Sequence, residues 1–297
     1  MQDRYVGDVG DFGKFAVLRA LLGAPGGARR LAVVWCAFPD ESHNGDGRHV
    51  AYLRDASMAR LDPDLHNGLR EIVGSGRRAM AAVEGSGLFP ASTIFVREPV
   101  GGSLAGFDRR GVARRLHREL WLSKALEATV PADLVFLDPD NGIGSEATSR
   151  DGPKAGKFVF LDELARFCER GQSLVVYHHT NRTCPVSEQV ESLGARIQGT
   201  LAGARPMPLL FRRGSCRIFW LIAHPSVEAT LAKAAEDFLS RGWAAHFGPL
   251  PDLQSSTTSA GPVPIQSTRT PSGRSTTSST NLTADGPGRP VRASGST

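Results

Sequence analysis

The stretch that decides the fold is Asp133-Leu134-Val135-Phe136-Leu137-Asp138-Pro139-Asp140-Asn141-Gly142, in which an apolar run leads directly into a polar loop. An apolar run without alternation is typical of a strand that is buried on both faces, as in a parallel sheet. The Asn141-Gly142 pair then favours a tight turn, because both residue types tolerate the backbone conformations of turns. The stretch therefore predicts a central strand of an α/β sheet with a polar loop at its end.

The rest of the sequence alternates between apolar runs and segments of helical periodicity. Buried strands are predicted at residues 31–36, 93–97, 133–137 and 173–177, and helices at 12–22, 64–83, 109–128, 158–170, 187–193 and 226–241. Residues 209–213 and 216–222 are predicted to form two further strands joined at Gly214-Ser215, which is a hairpin pattern. This order predicts a Rossmann-like α/β domain with a mostly parallel sheet, helices on both faces and a C-terminal β-hairpin.

Composition sets the limits of that domain. Of the 297 residues, 40% are hydrophobic and 22% are charged, as in ordinary globular proteins. Residues 254–297 are rich in Ser, Thr, Gly and Pro and are predicted to be a disordered tail, which leaves residues 1–253 as one domain. No apolar run approaches the roughly 20 residues that span a bilayer, and the N-terminus lacks a secretion signal. We therefore expect a cytoplasmic protein without a membrane partner.

The distribution of charge and the positions of the cysteines limit which ligands and metal sites are expected. The tail contains four arginines and one aspartate, so it carries +3 of the net +5 and the domain is nearly balanced. Charge therefore favours nucleic-acid binding only weakly. A basic stripe along one predicted helix could contact phosphates or simply face solvent, and it consists of Arg109, Arg110, Arg114, Arg115 and Arg118. The four cysteines form no C-x-x-C pair, which argues for reduced thiols over a zinc site or disulfides.

Polar residues follow the predicted strands, where open α/β sheets bind their ligands. These residues are Asp40, Glu41, His43, Asn44 and Asp46 after the first strand, Glu98 after the second, Asp138, Asp140 and Asn141 after the third, and His178 and His179 after the fourth. Asp138 is the strongest candidate, because a buried strand fixes its position, although an Asx-turn would use the same residue types. Adjacent side chains in a strand point to opposite faces, so at most one of the two histidines can face the site.

The N-terminal segment Gly7-Asp8-Val9-Gly10-Asp11-Phe12-Gly13-Lys14 is a second candidate. Its Asp8, Asp11 and Lys14 are spaced three apart and share one helix face. The cluster could hold a ligand, or its aspartates could cap the helix N-terminus. The loop that contains Asp40, Glu41, His43, Asp46 and His49 could bind a divalent cation or be merely solvated.

Two of these segments resemble a known family. Tyr5, Gly7, Asp8, Asp11 and Lys14 are similar to the N-terminal segment of adenine methyltransferases that modify large-subunit ribosomal RNA, and Asp138-Pro139 is similar to the start of their Asp-Pro-Pro-Tyr motif. These enzymes also end their sheet in a hairpin. The chain resembles, in addition, a group of bacterial proteins that share the G-D-x-G-D-F-G-K, L-D-P-D-N-G and Y-H-H segments.

The resemblance implies that S-adenosylmethionine binds at the strand ends and that nucleic acid or another amine acceptor is methylated. The implied cofactor residues are Tyr5, Asp8, Asp11, Lys14 and Glu98, with Glu98 on the ribose hydroxyls. The candidate catalytic set is Asp138, Asp140, Asn141 and His178, with Asp138 positioning the amine.

The chain also departs from that family. Asp140 replaces the second proline, and Asn141 replaces the aromatic residue that stacks on a flipped base. Pro39-Asp40-Glu41 stands where a Gly-rich cofactor loop is expected. The alternative is a hydrolase or nuclease dependent on Mg²⁺ or Mn²⁺, with ligands from Asp8, Asp11, Asp138, Asp140 and His178. A binding module without a cofactor is the third hypothesis.

Overall fold

The computed structural model describes residues 1–41, 45–100 and 111–248. Several predictions fall outside the described residues. They concern His43 of the proposed cation loop, the polar residue Asn44 beside it, Arg109 and Arg110 of the basic stripe, and the tail at residues 254–297. Those interpretations stay predictions.

A six-stranded sheet forms the centre of the domain. In chain order the strands of the protein are β1 (Leu31–Val34), β2 (Ile94–Val96), β3 (Leu134–Leu137), β4 (Gly142–Ile143), β5 (Phe158–Val159), β6 (Ser173–His179), β7 (Met207–Phe211) and β8 (Arg217–Ile222). The sheet order is β2-β1-β3-β6-β8-β7, and β4 pairs with β5 separately. Strands β2, β1, β3 and β6 are parallel, whereas β8 runs antiparallel between β6 and β7. The predicted Rossmann-like α/β fold with a C-terminal hairpin is confirmed.

Helices cover both faces of this sheet. They are α1 (Val9–Leu22), α2 (Ala56–Ala59), α3 (Pro63–Gly74), α4 (Met80–Glu84), α5 (Val112–Ala128), α6 (Leu161–Cys168), α7 (Val186–Thr200) and α8 (Glu228–Ser240). The buried side chains of α1, α3 and α8 form one hydrophobic core with strand residues such as Phe136. The buried side chains of α5, α6 and α7 form a second core with Leu137 and its neighbours. Successive residues of β3 thus point to different cores, as strand geometry requires.

The structure corrects the predicted helix at residues 158–170. Its first two residues form β5, which pairs with β4 directly after the Asp138 loop. The helix α6 starts only at Leu161, and the Glu163 carboxylate accepts a hydrogen bond from the Phe160 backbone at 2.9 Å. The helical region predicted at 64–83 consists of two helices, because the chain leaves the helical conformation between α3 and α4, where Gly76 adopts a φ of +70°.

Two glycines let α1 approach the hairpin closely. A Cβ on Gly13 would lie 2.8 Å from the Phe211 ring, and a Cβ on Gly10 would lie 2.8 Å from the Arg217 guanidinium carbon. These contacts hold the first turns of α1 against β7 and β8. The spacing of the glycines in the N-terminal motif therefore has a packing role, in addition to any role in binding.

Gly142 allows the chain to turn beside β6, so its replacement tests how this loop is held. It has a φ of +105°, and an added Cβ would lie 2.6 Å from the Cα of His178. We expect Gly142→Ala to lower the free energy of unfolding by about 2–4 kcal/mol, because both backbone strain and overlap oppose the methyl group. Urea unfolding followed by circular dichroism measures this change.

Gly74→Ala is the matched control. Gly74 is the last residue of α3, and a Cβ there would meet nothing within 4 Å. Alanine should therefore leave stability unchanged or raise it by about 0.4–1 kcal/mol. Equal effects of the two substitutions would contradict the steric account of the loop.

Candidate functional site

A pocket of about 440 Å³ lies at the carboxyl ends of β3 and β6, beside the first turns of α1. This volume falls within the roughly 300–1,000 Å³ of small-molecule sites. The predicted site residues that line it are Tyr5, Asp8, Asp11, Lys14, Asp138, Asp140 and Asn141. Tyr177, His179, Arg182 and Arg217 also line it, together with Asp46 and His49 of the proposed cation loop.

Lys14 connects the two motifs that the sequence singled out. Its Nζ atom lies 2.8 Å from Asp11 Oδ1 and 2.5 Å from Asp138 Oδ2, and all three side chains are buried. Burial alone would lower the pKa of Lys14, but the two carboxylates outweigh it and raise that pKa above its ordinary value. Burial raises the pKa of Asp11, and Lys14 opposes that shift. Lys14 is therefore a charged bridge between α1 and the loop after β3.

Asp8 both caps the N-terminus of α1 and belongs to the polar cluster at the pocket. It is the N-cap of α1, and its carboxylate accepts hydrogen bonds from the backbone N–H groups of Gly10 and His49, each at 3.0 Å. The same carboxylate lies 3.0 Å from Nη2 of Arg217, a residue of β8 that is 8% exposed. Capping and the polar cluster are thus one structure, which ties the helix N-terminus to the hairpin.

Asp140 points away from the bridge and toward the N-terminal segment. Its Oδ1 lies 2.8 Å from the amino group of Met1, and its Oδ2 accepts a hydrogen bond from the Gln2 amide at 2.6 Å. The backbone of Asn141 accepts a hydrogen bond from His179 N at 3.2 Å and donates one to Lys157 O at 2.9 Å. Both residues line the pocket, and the side-chain contacts of Asp140 and the backbone bonds of Asn141 fix the course of the loop between β3 and β4.

The two histidines at the end of β6 separate as strand alternation requires. His178 lies beside Gly142, and its Nδ1 accepts a hydrogen bond from the Ile143 backbone at 3.1 Å. It does not line the pocket, although the sequence placed it in the catalytic set. His179 does line the pocket, and its Nδ1 lies 3.1 Å from the Tyr177 hydroxyl.

Glu98 is not brought to the pocket. Its half-exposed carboxylate lies 3.0 Å from Lys124 Nζ, and its carbonyl accepts a hydrogen bond from the Trp121 indole at 3.2 Å. Glu41 of the proposed cation loop instead pairs with Lys157, a neighbour of β5. Among the residues that the structure describes, no group of three or more His, Cys, Asp or Glu side chains is arranged to hold a metal ion.

The basic stripe on α5 is divided. Arg118 is 4% exposed and pairs with Glu163, and its guanidinium donates a hydrogen bond to the Ala155 carbonyl at 3.0 Å. Arg115 is exposed and lies 3.1 Å from Asp151. Arg118 therefore stabilises the contact with α6 and is not available for phosphates.

All four cysteines are free thiols.

Sequence reasoning missed three groups of this site, namely Tyr177, Arg182 and Arg217. Arg217 comes 209 residues after its partner Asp8, so no local pattern connects them. Tyr177 was counted only as part of an apolar strand. Strand alternation did predict that only one histidine faces the site, but it could not say which one.

Comparison with known proteins assigns no family to the chain. No family model matches it, and no solved structure matches it. A stretch of 113 residues is 32% identical to LexA repressor 1 of Xanthomonas axonopodis pv. citri (strain 306), which is 38% of this chain and 49% of the repressor. The match thus covers about half the length of that curated relative.

None of the helices within the described ranges is long and apolar enough to cross a membrane.

The pKa of His178 predicts a specific loss of stability in acid. Burial, with the nearby charges of His179 and Arg196, lowers this pKa from 6.5 to about 4. Below pH 6.5 the unfolded chain therefore binds the proton more readily than the folded chain, so stability falls as the pH decreases toward 4. The loss from this residue is expected to reach roughly 3 kcal/mol.

His178→Asn is the variant that tests this expectation. An asparagine oxygen can still accept the hydrogen bond from Ile143 but does not titrate. Urea unfolding from about pH 7 to about pH 4 should show that the stability advantage of the wild type shrinks by the predicted amount. Parallel pH curves for the two proteins would contradict the expected titration of His178.

Proposed function

We propose that the protein is an S-adenosylmethionine-dependent, methyltransferase-like protein that acts on nucleic acid or another amine acceptor. The observation that carries the proposal is how the two carboxylate oxygens of Asp138, directly after β3, are placed. Its Oδ2 is held by Lys14, whereas its Oδ1 has no hydrogen-bond partner among the described residues and the side chain lines the pocket. A fixed carboxylate with one unoccupied oxygen is suited to orient an amine.

The architecture of the sheet supports this proposal. The Rossmann-like order and the hairpin formed by β7 and β8 resemble the methyltransferase variant of this fold, and the pocket lies at the carboxyl ends of the strands. Ligands bind at this edge in open α/β sheets. Since a fold alone does not imply an activity, the residues of the pocket are the main support for the proposal.

The residues of the pocket fit the chemical groups of S-adenosylmethionine. This cofactor carries a carboxylate, an ammonium, a sulfonium and an adenosyl group, and it supplies a methyl group when bound. The pocket offers a guanidinium at Arg182, an exposed carboxylate at Asp46 and aromatic rings at Tyr5 and Tyr177. Glu98 lies elsewhere, so we assign no contact with the ribose hydroxyls to it.

The chain's own residues would act on the amine acceptor by positioning. Asp138 Oδ1 would accept a hydrogen bond from the acceptor N–H and so fix the direction of the nitrogen lone pair. Lys14 prevents the carboxylate from turning, since Asp11 holds the other side of its ammonium at 2.8 Å. The side chain of Asn141 lines the same pocket and can donate or accept a further hydrogen bond.

The hypothesis of a hydrolase dependent on Mg²⁺ or Mn²⁺ has less support from the geometry. Asp8 is paired with Arg217, while Asp11 and Asp138 share the ammonium of Lys14. A divalent ion would have to compete with these protein cations for carboxylate oxygens. The arrangement therefore favours an organic ligand, and metal binding becomes an outcome of the test.

Isothermal titration with S-adenosylmethionine tests the proposal together with Asp138→Asn. We expect the wild type to bind the cofactor with a Kd below about 1 mM. Asp138→Asn should keep cofactor binding within a few-fold, because Asp138 is assigned to the acceptor. Transfer of a labelled methyl group to total bacterial RNA or DNA should fall about 100-fold or more in this variant.

Asp237→Asn on α8 is the matched control, because its half-exposed carboxylate lies outside the pocket of Asp138 and pairs with Lys233 at 3.2 Å. This control should leave both binding and transfer unchanged. The absence of cofactor binding at millimolar concentration would overturn the proposal. Binding of Mn²⁺ that is lost in Asp138→Asn would instead favour the hydrolase.

A further inference from the structure

The outer side of α5 carries a row of apolar side chains that face solvent. Val112, Leu116 and Leu120 are spaced four apart, so they follow one another along one side of the helix. They are 75%, 58% and 52% exposed. Single exposed apolar residues are common on protein surfaces, but three in one row form a contiguous patch, and such patches mark interaction sites.

The opposite side of the same helix is packed inside the domain. Trp121, Leu122, Ala125 and Leu126 are buried and belong to the second hydrophobic core. Because an α-helix turns by about 100° per residue, these side chains point away from Leu116. A helix that is anchored by one apolar side normally presents a polar side to water, so an apolar outer side indicates that something covers it.

The charges beside the row have both signs. Arg115, Glu119 and Lys124 are exposed, and each pairs with a residue of its own chain at 3.0–3.7 Å. Exposed pairs of this kind are worth only about 0–1 kcal/mol, so they can rearrange when a partner binds. Together with the exposed Glu127, these four charges sum to zero. A balanced surface does not favour an anionic membrane or a phosphate backbone, since both attract basic surfaces.

The flank that carries Arg115 and Glu119 is complementary to itself. A two-fold axis perpendicular to two antiparallel copies of α5 brings the same flank of both copies together. Arg115 of one copy then lies beside Glu119 of the other, and the reverse pair forms by symmetry. The apolar rows interdigitate in this arrangement, because rows of residues four apart pack into each other at about −50°, the commonest crossing of helices in globular proteins.

We propose that the outer side of α5 is an interface between two copies of this chain, in which the two helices cross in antiparallel directions. None of the described residues of α5 lines the pocket at Asp138, so the inference is independent of the proposed function. A helix of 17 residues is only about 25 Å long and roughly 10 Å wide, which is far less than the roughly 800 Å² per partner of stable complexes. We therefore expect a reversible dimer with a Kd of about 10–100 μM.

Sedimentation velocity of the full chain tests the interface. Between about 5 and 500 μM, the weight-average sedimentation coefficient should rise from the monomer value toward the dimer value. Leu116→Glu should raise the Kd about tenfold or more, because it places carboxylates inside the apolar contact. Circular dichroism confirms that the variant is folded, which is expected because the side chain is exposed.

Val130→Glu is the matched control. Val130 is 64% exposed and lies past the end of α5, and the substitution makes the same change of charge. Its Kd should stay within about twofold of the wild type, because the crossing helices have diverged at this point. A monomer over the whole concentration range, or equal effects of the two substitutions, would overturn the proposal.

Reversal of the flanking charges tests the antiparallel orientation. Arg115→Glu brings carboxylates together across the two-fold axis and Glu119→Arg brings cations together, so each alone should weaken the dimer about threefold or more at low salt. The double variant Arg115→Glu with Glu119→Arg restores opposite charges in an antiparallel dimer and should return to about the wild-type Kd. A double variant as weak as the single variants would overturn the proposed pairing.

Discussion

The buried ammonium of Lys14, held between Asp11 and Asp138, is the interaction on which the rest of the site depends. It joins residues that are 124 positions apart and connects the first helix to the end of the central strand. Removal of one partner from a buried ion pair leaves an uncompensated charge, which typically costs about 3–5 kcal/mol. A buried apolar contact could hold the two elements equally well, so the charges indicate that the pocket requires a fixed carboxylate.

Charge compensation inside the pocket explains which groups remain for a ligand. Asp8 and Arg217 neutralise each other, and Lys14 is shared between two carboxylates. Among the described residues, the groups that are left for a ligand include one oxygen of Asp138, His179 Nε2, the side-chain amide of Asn141 and the exposed guanidinium of Arg182. These groups form a small, directional set, which favours recognition of a defined polar edge over attraction by net charge.

The sequence predicted the sheet well, because its strands are buried apolar runs separated by helices of clear periodicity. It also pointed to Asp11, Lys14 and Asp138, which line the pocket, since strand ends and helix starts can be located from local patterns. The pair β4–β5 could not be predicted, because strands of two residues have no periodicity to detect. Arg217 and Tyr177 were missed for a different reason, since their roles arise from contacts made across the sheet.

The two adjacent histidines at the end of β6 have different environments, because successive residues of a strand face opposite sides of the sheet. His178 accepts a backbone hydrogen bond and lies against Gly142, so its burial stabilises the loop that carries Asp138. His179 points to the opposite face, where its Nδ1 lies 3.1 Å from the Tyr177 hydroxyl. A shift of β6 by one residue would exchange these environments and would leave Ile143 without its acceptor. The antiparallel pairing of β6 with β8 prevents that shift, because it aligns Tyr177 with Phe219 and His179 with Arg217. The hairpin therefore determines which of the two histidines faces the pocket.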